Sequence, residues 1–311
     1  MSATYKIAEK LVKFLDIKKM FRKSKEEILE YARKENSKHI FDFEKAEKRA
    51  KKKGYYLKEG KIQGYKFLIY KKELKDSDGA VLYLFGGGMI TGPDRLDFLL
   101  AERIMEKTGT DVWFLFYPLC SENANIRKTY EVCFEAYKFM TKIYKPETIK
   151  VLGFSSGACL SLGIFQLNNY LGRPLPMAGK IIAISPGALP DLKLKENKTI
   201  LDKICTLSTK DIIIDPKYFQ TAREIFMGDD LEEYMLDATR GDFSNFPKTY
   251  FYYGENECLY AFAEYFEKSM KKYQAPYEIV VGNGMCHCYP LLRFFKEGRD
   301  AQEEIIKLLK D

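Results

Sequence analysis

Gly153-Phe154-Ser155-Ser156-Gly157 is a G-x-S-x-G pentapeptide. A serine nucleophile on a sharp turn needs small neighbours, because the strained backbone draws chain and side chains close together. The flanking residues read as a short strand at 149–153 and a helix at 156–170, which is the setting that exposes such a hydroxyl. A helix beginning at Ser156 would aim free N–H groups and its positive dipole end at a developing oxyanion. The plainer alternative, a Gly/Ser turn that merely caps a helix, does not call for the strand in front of it.

Ser155 would need a base, and the chain holds only two histidines. His39 lies beside Ser37 and Lys38 in a polar helical region and reads as a surface residue. His287 lies in the loop Gly282-Asn283-Gly284-Met285-Cys286-His287-Cys288, after the last strand-like run. Imidazole titrates near neutral pH and is the usual base for a serine, so His287 is the candidate. One histidine between two alternating thiols makes a poor chelate, and no metal is expected there.

An orienting acid is offered by Gly254-Glu255-Asn256-Glu257, at the end of the apolar run 249–253. Glu257 is preferred over Glu255. The chain must turn away from the strand before a carboxylate can point across to the His287 loop. A carboxylate at the start of the following helix is also favoured by the helix dipole. Phe85-Gly86-Gly87-Gly88 follows another apolar strand, and its glycines let backbone N–H groups face a ligand without Cβ interference. No lysine follows for a phosphate loop, and Thr91 stands where a dinucleotide fingerprint needs glycine. A flexible turn and a set of oxyanion donors remain as readings.

The elements that must position these residues alternate in type. Residues 1–53 read as Lys- and Glu-rich helices, with capping-box spacing from Ser24 to Glu27. Strand-like runs follow at 64–70, 80–85, 112–117, 149–153, 180–185, 249–253 and 277–281. Helical segments are expected at 94–108, 126–143, 156–170, 259–273 and 300–309. Such alternation predicts an α/β fold, a mostly parallel sheet covered on both faces. Residues 188–246 are too long for a simple crossover and read as an insertion.

Composition narrows the function classes. The chain has 311 residues, 46% hydrophobic and 31% charged, as in ordinary globular proteins. Its net charge of +7 is uneven, since residues 1–75 hold 23 basic and 11 acidic side chains. Twenty of those cations are lysines, and they are interleaved with acids, so a solvated helical face is expected rather than nucleic-acid binding. The uncharged stretch 151–172 contains Ser155, Ser156, Asn168 and Asn169 as well as four glycines, too polar for a membrane span. Seven scattered cysteines without a C-x-x-C pair, and an N-terminus with no apolar core, point to a reducing cytoplasm.

Over residues 75–311 the chain resembles the hormone-sensitive-lipase-like acetyl esterases and lipases of the α/β-hydrolase fold, through FGGGMITGP, GFSSGA, GENECL and GMCHCY in that order. The resemblance implies a serine esterase with Ser155 as nucleophile, His287 as base and Glu257 as acid. Gly87, Gly88 and the Ser156 N–H would form the oxyanion hole, and a helical cap would come from residues 1–53 and 188–246. It implies a small-molecule ester substrate and no cofactor, and it admits a homodimer. A peptidase or amidase on this scaffold, or a binding protein that has lost catalysis, are the alternatives. Three departures stand out: Phe85 where the family usually has His, Phe154 and Ser156 within its usual G-D-S-A-G, and PLCSENANIRK in place of its Y-R-L-A-P-E.

Overall fold

The computed structural model describes residues 1–38, 40–122, 124–228 and 231–311, so the reading of His39 lies outside the described residues. Three N-terminal helices, α1 (Ala3–Leu15), α2 (Lys25–Lys38) and α3 (Phe43–Lys53), precede the sheet, with a 3-10 stretch at Ile17–Arg22 between the first two. The strands are β1 (Tyr56–Ile62), β2 (Tyr65–Lys71), β3 (Ala80–Leu84), β4 (Asp111–Leu115), β5 (Ile149–Phe154), β6 (Lys180–Ile184), β7 (Lys248–Gly254) and β8 (Tyr277–Gly282). They form one sheet in the order β1-β2-β4-β3-β5-β6-β7-β8. Only the β1–β2 and β2–β4 pairs are antiparallel; the other five are parallel.

Every residue of β3, β4 and β5 is buried, as continuous Val, Leu and Ile runs require when both sheet faces are covered. The cover comes from α4 (Arg95–Thr108), α5 (Ile126–Met140), α6 (Ser156–Tyr170), α10 (Ala263–Lys272) and α11 (Lys296–Lys310). The segment 188–246 carries α7 (Lys198–Ser208), α8 (Lys217–Phe226) and the single turn α9 (Glu233–Leu236). The segment expected as helix at 259–273 opens instead as a 3-10 stretch, Cys258–Phe262, and the last helix begins four residues before the expected 300.

The polar residues of the uncharged stretch have internal partners. The α6 side chains Gln166 and Asn169 donate to the carbonyls of Ala238, Asp242 and Ser244, and Asn168 donates to that of Leu175. This helix is therefore the buried centre of a layered domain. Among the described residues no helix is long and apolar enough to cross a membrane.

Register fixes where chemistry can gather. Leu84 pairs with Gly153, Phe154 with Ile184, Ile184 with Tyr252, and Gly254 with Gly282. The carboxyl ends of β3, β5, β6, β7 and β8 therefore lie along one edge, where open α/β sheets place their sites.

Candidate active site

Ser155 follows β5 directly, with φ 52° and ψ −118°. That backbone is costly for a residue with a β-carbon, and the surroundings hold it. A β-carbon on Gly153 would fall 2.1 Å from the Gly157 carbonyl oxygen, and one on Gly157 would fall 2.2 Å from those of Leu84 and Phe85. The two glycines are thus needed for the close crossing of turn and strand. The Ser156 N–H, first in α6, has no intrahelical acceptor and points from the helix start.

His287 joins the serine from the loop after β8, with Nε2 3.0 Å from Ser155 Oγ. Its Nδ1 lies 2.5 Å from Glu257 Oε2. Glu257 is fully buried, and its other oxygen accepts from the Gly254 N–H at 2.7 Å and the Ser185 hydroxyl at 2.8 Å. Glu255 turns elsewhere: its carboxylate accepts from the Gly284 N–H at 2.8 Å. Asn256 donates to the Gly284 carbonyl at 3.1 Å, so both residues tie the acid loop to the histidine loop.

Burial alone would depress the imidazole. The neighbouring Cys288 sulfur, 3.5 Å from Nε2, and the Glu257 carboxylate outweigh it and hold His287 well above its ordinary 6.5. The thiol of Cys286, two residues before Cys288, is pushed up to about 12, chiefly by burial.

The glycine loop after β3 faces the serine. Gly87 and Gly88 have φ of +95° and +63°. A β-carbon on Gly88 would fall 2.3 Å from the Tyr218 hydroxyl. The Met89 N–H donates to Ser156 Oγ at 3.1 Å, so the residue after the serine anchors this loop by its side chain as well. Phe85 stacks on Tyr117 with ring centroids 4.2 Å apart and planes at 9°. The Tyr117 hydroxyl donates to the Phe85 carbonyl at 2.7 Å and lies 3.1 Å from that of Gly86.

A cavity of about 800 Å³ opens at Ser155 and His287, bordered by Met20, Phe21 and Tyr31 from the N-terminal helices and by Ile213 and Tyr218 from the insertion. A second cavity, of about 90 Å³, also reaches Ser155 and shares Gly88, Ile214 and Tyr218 with the first. Asn36 of α2 ties the helices to the glycine-loop segment, donating to the Ile90 carbonyl at 3.0 Å and accepting from the Gly92 N–H at 2.9 Å.

All six residues singled out by sequence (Ser155, His287, Glu257, Gly87, Gly88 and Ser156) thus lie along one edge of the sheet. Three partners escaped that reading. Ser185, at the end of β6, carries φ +53° and bonds both the acid and, at 3.1 Å, the Cys288 N–H. Asp211 of the insertion accepts from the Cys258 N–H at 2.7 Å, just beyond Glu257. Tyr117 holds the glycine loop. None sits in a motif, and only the fold brings them near. Among the described residues no group of three His, Cys, Asp or Glu side chains could hold a metal ion.

No curated protein matches the chain significantly. Solved structures do. A mutant of the esterase E40 superposes with a TM-score of 0.77 at 18% identity, over 99% of this chain and 98% of that one. An esterase of the bacterial hormone-sensitive lipase family gives 0.76 at 18%, over 97% of each chain. An esterase/lipase from an uncultured bacterium gives 0.72 at 18%, over 91% of this chain and 97% of that one. At such identities the likeness is one of fold. The family model described as alpha/beta hydrolase fold matches residues 81–291, more than half of the sequence, and the chain belongs to that family.

Proposed function

We propose that the protein is a serine hydrolase of carboxylic esters with short acyl chains. One observation carries this reading: a buried carboxylate, an imidazole and a serine hydroxyl stand in hydrogen-bonded series, Glu257 to His287 to Ser155, at the floor of an open cavity. In the reaction, Ser155 Oγ attacks the acyl carbonyl while His287 Nε2 takes its proton. Glu257 holds the ring's tautomer and steadies the imidazolium. The N–H groups of Gly87, Gly88 and Ser156 receive the oxyanion. His287 then protonates the leaving alcohol, and water attacks the acyl-enzyme with the same base.

The two cavities suggest a division of the substrate. The smaller, about 90 Å³ and lined by Met89, Ala188, Leu189, Phe219, Phe226 and Leu259, is apolar and suits acetyl to butyryl chains. The larger, under residues 1–53 and 188–246 acting as a cap, takes the alcohol part.

Turnover of p-nitrophenyl butyrate by the wild type and by Ser155→Ala tests the reading. Losing the nucleophile should cost on the order of 10⁶ in kcat and abolish labelling by a fluorophosphonate probe. Near-wild-type turnover by Ser155→Ala would refute it. A kcat/KM higher for palmitoyl than for butyryl esters would refute the short-chain part.

A further inference from the structure

Helix α1 turns an apolar stripe outward. At 3.6 residues per turn Ile7, Leu11 and Phe14 share one face, and they are 68%, 57% and 86% exposed. Leu15 beside them is 60% exposed. The opposite face makes the contacts with the domain. There Tyr5 is buried edge-on against Phe295 at 4.9 Å, and Val12 packs on the same small cluster. An ordinary surface helix has the reverse polarity, with its apolar stripe inward.

Lys6, Lys10 and Lys13 border the outward stripe along one side. Residues 1–23 carry seven Lys and Arg side chains against two acids, Glu9 and Asp16. Both acids are already paired, Glu9 with Lys13 at 2.7 Å and Asp16 with Arg22 at 3.5 Å. An apolar strip edged by cations is complementary to a surface that is apolar beneath and anionic on top.

We propose that α1 is an interfacial docking helix for anionic phospholipid bilayers. Ile7, Leu11 and Phe14 enter the acyl boundary, while Lys6, Lys10 and Lys13 meet headgroup phosphates. A second copy of this chain is the poorer occupant, because two-fold pairing of the stripes brings two lysine-edged faces together without counter-charge.

Docking would also orient the active-site cavity. From α1 the chain passes into the 3-10 stretch Ile17–Arg22, whose Met20 and Phe21 line the large cavity. That stretch is pinned to the insertion. Lys18 donates to the Ser208 carbonyl at 2.7 Å, Arg22 meets Asp215 at 2.8 Å, and Phe21 packs edge-on against Tyr218 at 4.9 Å. An ester dissolved in the bilayer would then meet the cavity beside its own phase. This orientation argument rests on the proposed esterase reading, whereas the docking does not.

Co-sedimentation of the full chain with vesicles tests docking without measuring activity. Vesicles of phosphatidylcholine with roughly one-third phosphatidylglycerol should bind at least about tenfold more tightly than pure phosphatidylcholine, and salt should weaken that binding. Leu11→Ser with Phe14→Ser should lose about tenfold or more at an unchanged melting temperature. Lys6→Gln, Lys10→Gln and Lys13→Gln together should lose roughly tenfold to a hundredfold on anionic vesicles, and little on neutral ones. Failure of the wild type to sediment with anionic vesicles overturns the proposal, as does wild-type binding by both sets of variants. A wild-type dimer that Leu11→Ser with Phe14→Ser converts to monomer, with no vesicle binding, overturns it in favour of a second copy.

Discussion

Ser185→Ala should slow ester turnover without weakening substrate binding. The Ser185 hydroxyl donates to Glu257 Oε1 at 2.8 Å and accepts from the Cys288 N–H at 3.1 Å, so one oxygen links the acid to the residue after the base. The bond to an ionised carboxylate is worth roughly 1.5–3 kcal/mol and the one from the amide about 1. The substitution keeps a β-carbon, so the strain at φ +53° is unchanged and the side-chain oxygen alone is lost. Glu257 retains the Gly254 N–H and His287 itself, so the acid is loosened rather than removed. If about 1.4–2.7 kcal/mol of that orientation is lost from the transition state, kcat falls roughly ten- to a hundredfold. That is well short of the ~10⁴ that follows loss of an orienting acid. The assay is kcat and KM for p-nitrophenyl butyrate in wild type, Ser185→Ala, Glu257→Gln and the double variant, with melting temperatures for all four. Because Ser185 acts through Glu257, its effect should shrink to about twofold in the Glu257→Gln background. An equal fractional loss in both backgrounds, or a single variant within twofold of wild type, would refute the reasoning.

Glu257→Gln should cost roughly 10⁴ in kcat while Glu255→Gln, which loses the charge but keeps an amide oxygen to accept from the Gly284 N–H, stays within about tenfold; single-variant kinetics in the reverse order would move the acid to Glu255. His287 must be neutral to act as a base, and its pKa is held above the ordinary 6.5, so kcat/KM should rise with pH through an acid limb above that value. Removing a raising neighbour in Cys288→Ala should move that limb to lower pH, and a pH profile with an unmoved or higher limb would contradict this. Tyr117→Phe removes the hydroxyl that holds the Phe85 and Gly86 carbonyls and should lower kcat about tenfold, with KM little changed, as read by steady-state kinetics.

The parts of the fold that were legible in sequence are those whose burial is two-sided. β3 to β6 are apolar runs because helices cover both faces of the sheet, and runs of that kind stand out against any background. Strand β1, Tyr-Leu-Lys-Glu-Gly-Lys-Ile, did not stand out. It pairs only with β2 at the sheet edge, so most of its side chains meet water and only Leu57 and Ile62 turn inward. Its partner β2 was readable because Phe67, Leu68 and Tyr70 are buried. At the site, Ser155 was visible through its small neighbours, and His287 through the scarcity of histidine. Ser185 was not visible, because its contacts with Glu257 and Cys288 arise from the β5–β6–β7 register, which no local pattern encodes. Asp211 was hidden for a related reason: its partner, the Cys258 N–H, lies across the insertion.

Phe85 shows how a departure from a family pattern can be absorbed. For the proposed oxyanion role, the glycine loop would need its carbonyls held so that its N–H groups stay aimed at the serine, and a donor from any direction can hold them. Phenylalanine offers no donor. Its ring instead lies flat on Tyr117, which brings the tyrosine hydroxyl to 2.7 Å from the Phe85 carbonyl. Both rings are almost wholly buried, so this hydrogen bond works where water does not compete. Ser156 completes the hold from the other side by accepting the Met89 N–H, which an alanine in that place could not do. The two substituted positions therefore act on the same short loop, one at its start and one at its end. Phe85 is then weak ground for reading the chain as a binding protein without catalysis, since the loop is held here by a phenol and a hydroxymethyl group.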